Sequence, residues 1–158
     1  MITKSDIVVG LLQHDEIGRF QEFIREYWDK NHLFAKETSF FDWLYKNPTN
    51  YHYVVAQIEE DLIGILGLIP LKHFDNNLPD SQIFLTIWKA LENRGLAIGL
   101  RVFKACEKMY SPEFIGSLGL NDKAVPFHER QGFTVGLMDH HVMLSPYIDE
   151  FKIAIVPE

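Results

Sequence analysis

The chain has 158 residues, 47% of them apolar, and a formal charge of −7, so it can bury one core of ordinary size and lacks the concentrated basic patch that a nucleic-acid groove needs. Cys106 is the only cysteine, which excludes an intrachain disulfide and makes a reducing compartment the default. Met1–Asp6 lacks the basic-then-apolar pattern of a secretion signal, and no apolar run reaches membrane-spanning length, so a cytoplasmic protein with neither nucleic-acid nor membrane partners is expected.

In chain order, Ile7–Leu12 reads as a short strand. Asp15 is placed to cap a helix in which Ile17, Phe20, Phe23, Ile24, Tyr27 and Trp28 recur at helical spacing. A second short helix is predicted around Phe40–Tyr45, stopped near Asn47-Pro48. Tyr53–Ile58 and Leu62–Leu71 read as two strands of a hairpin across Glu59-Glu60-Asp61. Gly64 and Gly67 inside the second of these signal a bulge or a close backbone approach. His73–Ser81 is a loop by composition, and Gln82–Lys89 is a nearly continuous apolar strand.

Glu92–Leu100 follows as a small-residue turn reading Arg-Gly-x-Ala-Ile-Gly. Beyond it Leu100, Val102, Phe103, Cys106 and Met109 recur at helical spacing. Phe114–Leu120 reads as a strand. Asn121-Asp122 can cap a short helix that carries Pro126 in its first turn and ends at Gly132-Phe133. Thr134–Val156 alternates weakly and can supply one or two last strands, over Met138–Leu144 and Phe151–Val156. The order β-α-α-β-β-β-α-β-α-β(-β) predicts one α/β (α+β) domain over residues 1–158, with a central mixed, mostly antiparallel sheet and helices on both faces.

The small-residue turn between strand and helix points backbone N–H groups at one spot, at the positive end of a helix, which is a place for a phosphate. It is not a P-loop, because no Gly-Lys-Ser/Thr follows, and the dinucleotide fingerprint lacks its third glycine. Glycine also begins helices for steric reasons alone, so the turn by itself leaves both readings open.

A second segment narrows the choice. Asn121–Phe133 reads Asn-x-x-Ala-x-x-Phe-His-Glu-x-x-Gly-Phe. Together the two segments resemble the GNAT N-acetyltransferase superfamily, over element order from about Tyr53 to Phe133. The resemblance implies that Arg94, Gly95, Leu96, Ala97, Ile98, Gly99 and Leu100 cradle the pyrophosphate of acetyl-CoA. It implies that the pantetheine arm lies between splayed strands Gln82–Lys89 and Phe114–Leu120, and that Asn121 bonds the pantetheine or the helix start. A plain helix cap also accounts for Asn121.

The pattern departs from the family at two positions. Ala97 stands where the family loop has its first glycine; in a helical first turn an alanine is unstrained, but its methyl group faces the phosphate. His128 stands where many members have a tyrosine that protonates the leaving thiolate, and it is the candidate general acid. A packed histidine with no chemistry is the alternative.

Gln82–Lys89 carries no carboxylate for a general base. Glu92, Asp139, His140, His141, His73 and Asp75 are the remaining candidates, and an acceptor amine can also attack directly, with proximity supplying much of the rate. Adjacent His140-His141 point to opposite faces of a strand, so no metal site is expected. Trp28, Phe34 and Trp43 flank the segment between the first two helices and form a candidate aromatic wall for a sugar ring or an apolar amine.

The reading is an acetyl-CoA-dependent N-acetyltransferase acting on a small-molecule primary amine, an amino sugar among them. The alternative is a catalytically inactive domain of this type that binds a ligand or a partner chain. If Phe151–Val156 stays out of the sheet, either the chain continues in a longer protein or a homodimer completes the sheet.

Overall fold

The structure, a computed structural model, describes residues 7–91, 93, 97–139 and 147. They fall into two units, Met1–Gly119 and Leu120–Glu158.

The first unit is built on a five-stranded sheet of β1 (Ile7–Leu11), β2 (Tyr53–Ile58), β3 (Asp61–Pro70), β4 (Gln82–Ala90) and β5 (Phe114–Ser117), in that spatial order. The first three pairings are antiparallel and β4–β5 is parallel. A parallel pair needs a crossover, and helix α3 (Ile98–Tyr110) supplies it. Helices α1 (Ile17–Tyr27) and α2 (Thr38–Tyr45) precede β2.

Alternation along the strands decides what each face meets. Tyr53, Val55 and Ile65 join Phe20, Phe23 and Ile24 of α1, and Phe41 and Tyr45 of α2, in one buried cluster. Val54, Ala56, Leu66 and Leu68 alternate with them and are buried on the opposite face. There α3 packs, with the Phe103 ring stacked on Trp88 of β4 at 5.6 Å. A mixed, mostly antiparallel sheet with helices on both faces is therefore the observed architecture.

Asp15 does not cap α1. His14–Glu16 forms a single 3-10 turn, and the Glu16 carboxylate accepts the Gln13 N–H at 2.8 Å. Asp15 lies inside that turn, whereas Glu16 sits three residues beyond the entry and can reach back, which is the capping-box spacing. Both strand glycines act as expected. Gly64 makes room for α3, and Gly67 lies opposite a bulge in β4, where the register with β3 shifts between Leu66 and Leu68.

In the second unit, α4 (Val125–Arg130) begins after a turn closed by Asn121 and carries Pro126 in its first turn. Gly132, at φ 89°, lets Phe133 N–H return to the His128 carbonyl at 3.1 Å and ends the helix. Thr134–Asp139 has no regular structure, and the remaining residues of both candidate tail strands lie outside the described residues, Tyr147 excepted. Among the described residues no helix is long and apolar enough to cross a membrane.

Candidate functional site

The geometry that stands out in the first unit is the incomplete pairing of β4. Its parallel ladder with β5 runs from Gln82–Phe114 to Leu85–Ser117 and stops. Trp88–Ala90 pair in register with β3, but no described strand pairs with β4 on the β5 side past Leu85. The bulge begins there: Thr86 and Ile87 together oppose Gly67. A bulge bends its strand and increases its twist, so β4 turns away from β5 where pairing ends. The freed backbone edge offers N–H and C=O groups at strand spacing to an extended, amide-bearing ligand.

At the end of the same strand lies the start of α3. Gly64 has no Cβ; one added there would stand 2.6 Å from Ile98 Cγ2. The missing methyl lets the first residue of α3 press onto β3. Gly99 is different. Its φ is ordinary, and an added Cβ would make only normal contacts, at 3.6 Å from Trp88 Nε1, so the fold does not demand glycine there. The first turn of a helix of this length offers backbone N–H groups and a positive dipole end.

Ala97 overturns one expectation. It is not in a helical first turn but caps α3 in the left-handed conformation, at φ 61° and ψ 28°. For an L-residue with a Cβ this conformation costs on the order of 1 kcal/mol. The tertiary constraint beside it is Ile98, seated against Gly64. Ala97, Ile98, Gly99 and Leu100 of the expected cradle are thus placed, whereas Arg94, Gly95, Leu96 and Glu92 lie outside the described residues.

In the second unit, Asn121 Oδ1 accepts the Ala124 N–H at 3.0 Å, the local capping role that also explained it from sequence. His128 is 1% exposed. Its Nδ1 lies 2.9 Å from the Ala124 carbonyl, one turn back, so Nδ1 carries a proton. Its ring is edge-on to Phe127 and Phe133, at 5.7 and 5.4 Å.

The aromatic candidates separate. Phe34 is 6% exposed and packs against Phe41 and Tyr45, so it is core and not a substrate wall; its 3-10 turn, Leu33–Ala35, folds it under α2. Trp43 is 59% exposed and stacks on Phe40 at 5.8 Å. Trp28 is also exposed, but no ring contact joins it to this group. Sequence reasoning missed Phe74. It lies in a segment dismissed as loop, is 52% exposed, and faces Trp43 at 5.1 Å. His73, considered as a base, instead hydrogen-bonds the Trp43 carbonyl through Nε2 at 2.8 Å and ties that loop to α2.

Beside it His52 Nδ1 and the Tyr110 hydroxyl share a hydrogen bond at 3.0 Å, and burial, with the neighbouring His73, pulls the His52 pKa down to about 4. Asp75 accepts from Asn77 within its own turn. Asp139 is exposed, and His140 and His141 lie outside the described residues. Among the described residues no three His, Cys, Asp or Glu side chains are grouped to hold a metal.

Comparison with known proteins agrees with this geometry. The model of the Acetyltransferase (GNAT) family matches residues 17–133. No curated relative matches the sequence. Among solved structures, the chain is similar to an aminoglycoside acetyltransferase, meta-AAC0020, from an uncultured soil metagenomic sample, solved with sisomicin. The TM-score is 0.65 and the identity 15%, covering 89% of this chain and 97% of that one. It is similar to AAC(6')-Iy, solved with the bisubstrate analogue CoA-S-monomethyl-acetylneamine, at TM-score 0.64 and 11% identity over 88% of this chain and 98% of the other. A structure described as a transcriptional regulator from Bacillus halodurans C-125 shares the fold at TM-score 0.59 and 12% identity, covering 87% and 99%. At such identities the likeness concerns the fold.

Proposed function

The chain belongs to the acetyltransferase (GNAT) family, N-acetyltransferases that draw their acetyl group from acetyl-CoA, and from that premise we propose that this protein acetylates a small primary amine carried on a sugar ring. The observation that carries the proposal is the end of the β4–β5 ladder at Leu85–Ser117. It leaves an amide-rich strand edge on β4, whose Trp88 and Ala90 lie beside Gly99 in the first turn of α3. These residues fit the two halves of the donor: the α3 N-terminus the pyrophosphate, and the β4 edge the amides of the pantetheine arm.

When bound, the donor supplies an acetyl thioester. An acceptor amine would attack the thioester carbonyl carbon, the C–N bond forming as the C–S bond breaks; the amine nitrogen would give up one proton to solvent and the departing sulfur would take one. The family resemblance makes His128, in its imidazolium form, the residue proposed to supply that proton. No carboxylate stands on β4, so attack by the neutral amine relies on positioning. Trp43 and Phe74 support the sugar as acceptor: two exposed rings, held by the His73 bond to α2, present an apolar platform to a ring face. The solved acetyltransferases noted above, described with aminoglycoside ligands, make the same acceptor class the first to test.

A second reading is a non-catalytic, ligand-binding domain. It is favoured by Ala97, whose methyl group occupies the left-handed cap position beside the presumed phosphate seat.

Titration calorimetry with acetyl-CoA, CoA and ATP, followed by thiol release with sisomicin as the amine, tests the proposal. Micromolar binding of both CoA species with thiol release is expected. Binding without release moves the protein to the second reading. No binding of either CoA species at millimolar concentration overturns the acetyltransferase reading.

A further inference from the structure

Tyr53 on β2, Gly67 on β3 and Thr86 on β4 form a row across three strands on the face covered by α2. A Cβ on Gly67 would stand 2.6 Å from two ring atoms of Tyr53 and would collide with Thr86 Oγ1. The glycine therefore exists to let the Thr86 hydroxyl and the Tyr53 ring settle over β3. From above, the Tyr45 hydroxyl of α2 donates to Thr86 Oγ1 at 3.0 Å. The Tyr53 hydroxyl is fully buried beside this pair, next to Thr86.

As core packing this is a poor choice. An interior strand glycine lowers stability, three hydroxyl side chains are packed together, and Phe20 and Phe41 around Tyr53 show that apolar side chains fill the same layer. The group sits where β4 leaves register with β3, and Thr86 is the first β4 residue beyond the ladder with β5. Pulling the Thr86 side chain over Gly67 sets how the bulge turns, and with it the direction of the free backbone edge.

We propose that the Tyr45–Thr86 hydroxyl pair, seated over Gly67, is a positioning device that holds the β4 bulge so that its free edge receives the acyl end of the donor. The proposal rests on the acetyltransferase reading. Thr86 and Tyr45 act through the β4 backbone and need not touch the ligand. Because CoA and acetyl-CoA share everything but the acyl group, their affinity ratio isolates what happens at the bulge, whereas a loss of general stability leaves that ratio alone.

The test is calorimetric binding of acetyl-CoA and of CoA to the wild-type chain and to Thr86→Val, Thr86→Ser and Tyr45→Phe. Ile24→Val serves as a core-weakened control far from β4. Loss of the hydroxyl contact is expected to weaken acetyl-CoA binding relative to CoA by about fivefold in Thr86→Val and Tyr45→Phe, the size of one ordinary hydrogen bond. Thr86→Ser is expected to restore the wild-type ratio, and Ile24→Val to keep it. Unchanged ratios in both hydroxyl-deleting variants, or an equal change in Ile24→Val, overturn the proposal while leaving the acetyltransferase reading intact. If Thr86→Val does not fold, Tyr45→Phe decides alone, since it keeps the ring and removes only the hydroxyl. Failure of the wild-type chain to bind either species overturns the underlying reading and this proposal together.

Discussion

Gly64 and Ile98 are fitted to one another: the Cβ that Gly64 lacks would stand 2.6 Å from the Ile98 Cγ2 that occupies its place. The contact joins the middle of β3 to the first residue of α3 and so fixes where the helix begins. Gly64→Ala is expected to push Ile98 away, lowering stability by about 1–3 kcal/mol, the usual range for overpacking a core. CoA affinity should fall with it, because the helix N-terminus moves. Chemical denaturation and calorimetric CoA titration of the variant measure both; a variant as stable as the wild type would show that Ile98 simply rotates aside.

Ala97 holds a left-handed conformation that glycine adopts freely. Ala97→Gly is therefore expected to stabilise the chain by about 0.5–1 kcal/mol, in spite of the entropy glycine adds to the unfolded state. Removing the methyl group should also tighten CoA binding. A lower urea midpoint in the variant would contradict the strain assigned here.

Phe34 and Trp43 stand nine residues apart in sequence, yet they predict opposite phenotypes. Phe34→Ala empties a site in the core and should cost about 3–5 kcal/mol of stability. Trp43→Ala removes an exposed ring and should change stability by less than about 1 kcal/mol. Its effect should appear as a raised KM for an amino-sugar acceptor at unchanged kcat. Unaltered KM in a folded, active Trp43→Ala protein would remove the aromatic platform from the acceptor site.

His52 should make the fold acid-sensitive. Its pKa falls from 6.5 to about 4 in the folded chain, mainly through burial. The unfolded chain therefore binds more protons between these values, and stability is lost as pH drops from about 6.5 towards 4. The loss is on the order of 1–3 kcal/mol. Melting temperatures of the wild-type chain and His52→Gln across this range give the comparison; equal slopes would dismiss His52 as the source.

The local elements were legible because each carries its own period. Tyr53–Ile58 is a strand by its short apolar, β-branched run and is observed with those bounds, and the spacing of Val102, Phe103 and Cys106 marks the buried face of α3. The Asn121 and Gly132 ends of the α4 segment were legible for the same reason, since capping depends on neighbours only a few residues away. Asp15 misled because two acidic residues compete for one cap, and reach decides between them.

By itself, then, the sequence determined which segments become strands and helices, the mixed sheet their order implies, and a family whose motifs lie in Arg94–Leu100 and Asn121–Phe133. Those are short-range properties: periodicity, caps and turn-forming residues. Only the tertiary structure decided that Ala97 turns left-handed, that Phe34 is core while Phe74 joins Trp43, and that β4 bulges at Thr86 and parts from β5 after Leu85. Each of these depends on a partner distant in the chain: Gly64 for Ile98, Tyr45 for Phe34, Gly67 and Tyr53 for Thr86. Strand glycines announced that something would come close, but only the fold supplied the side chain that did.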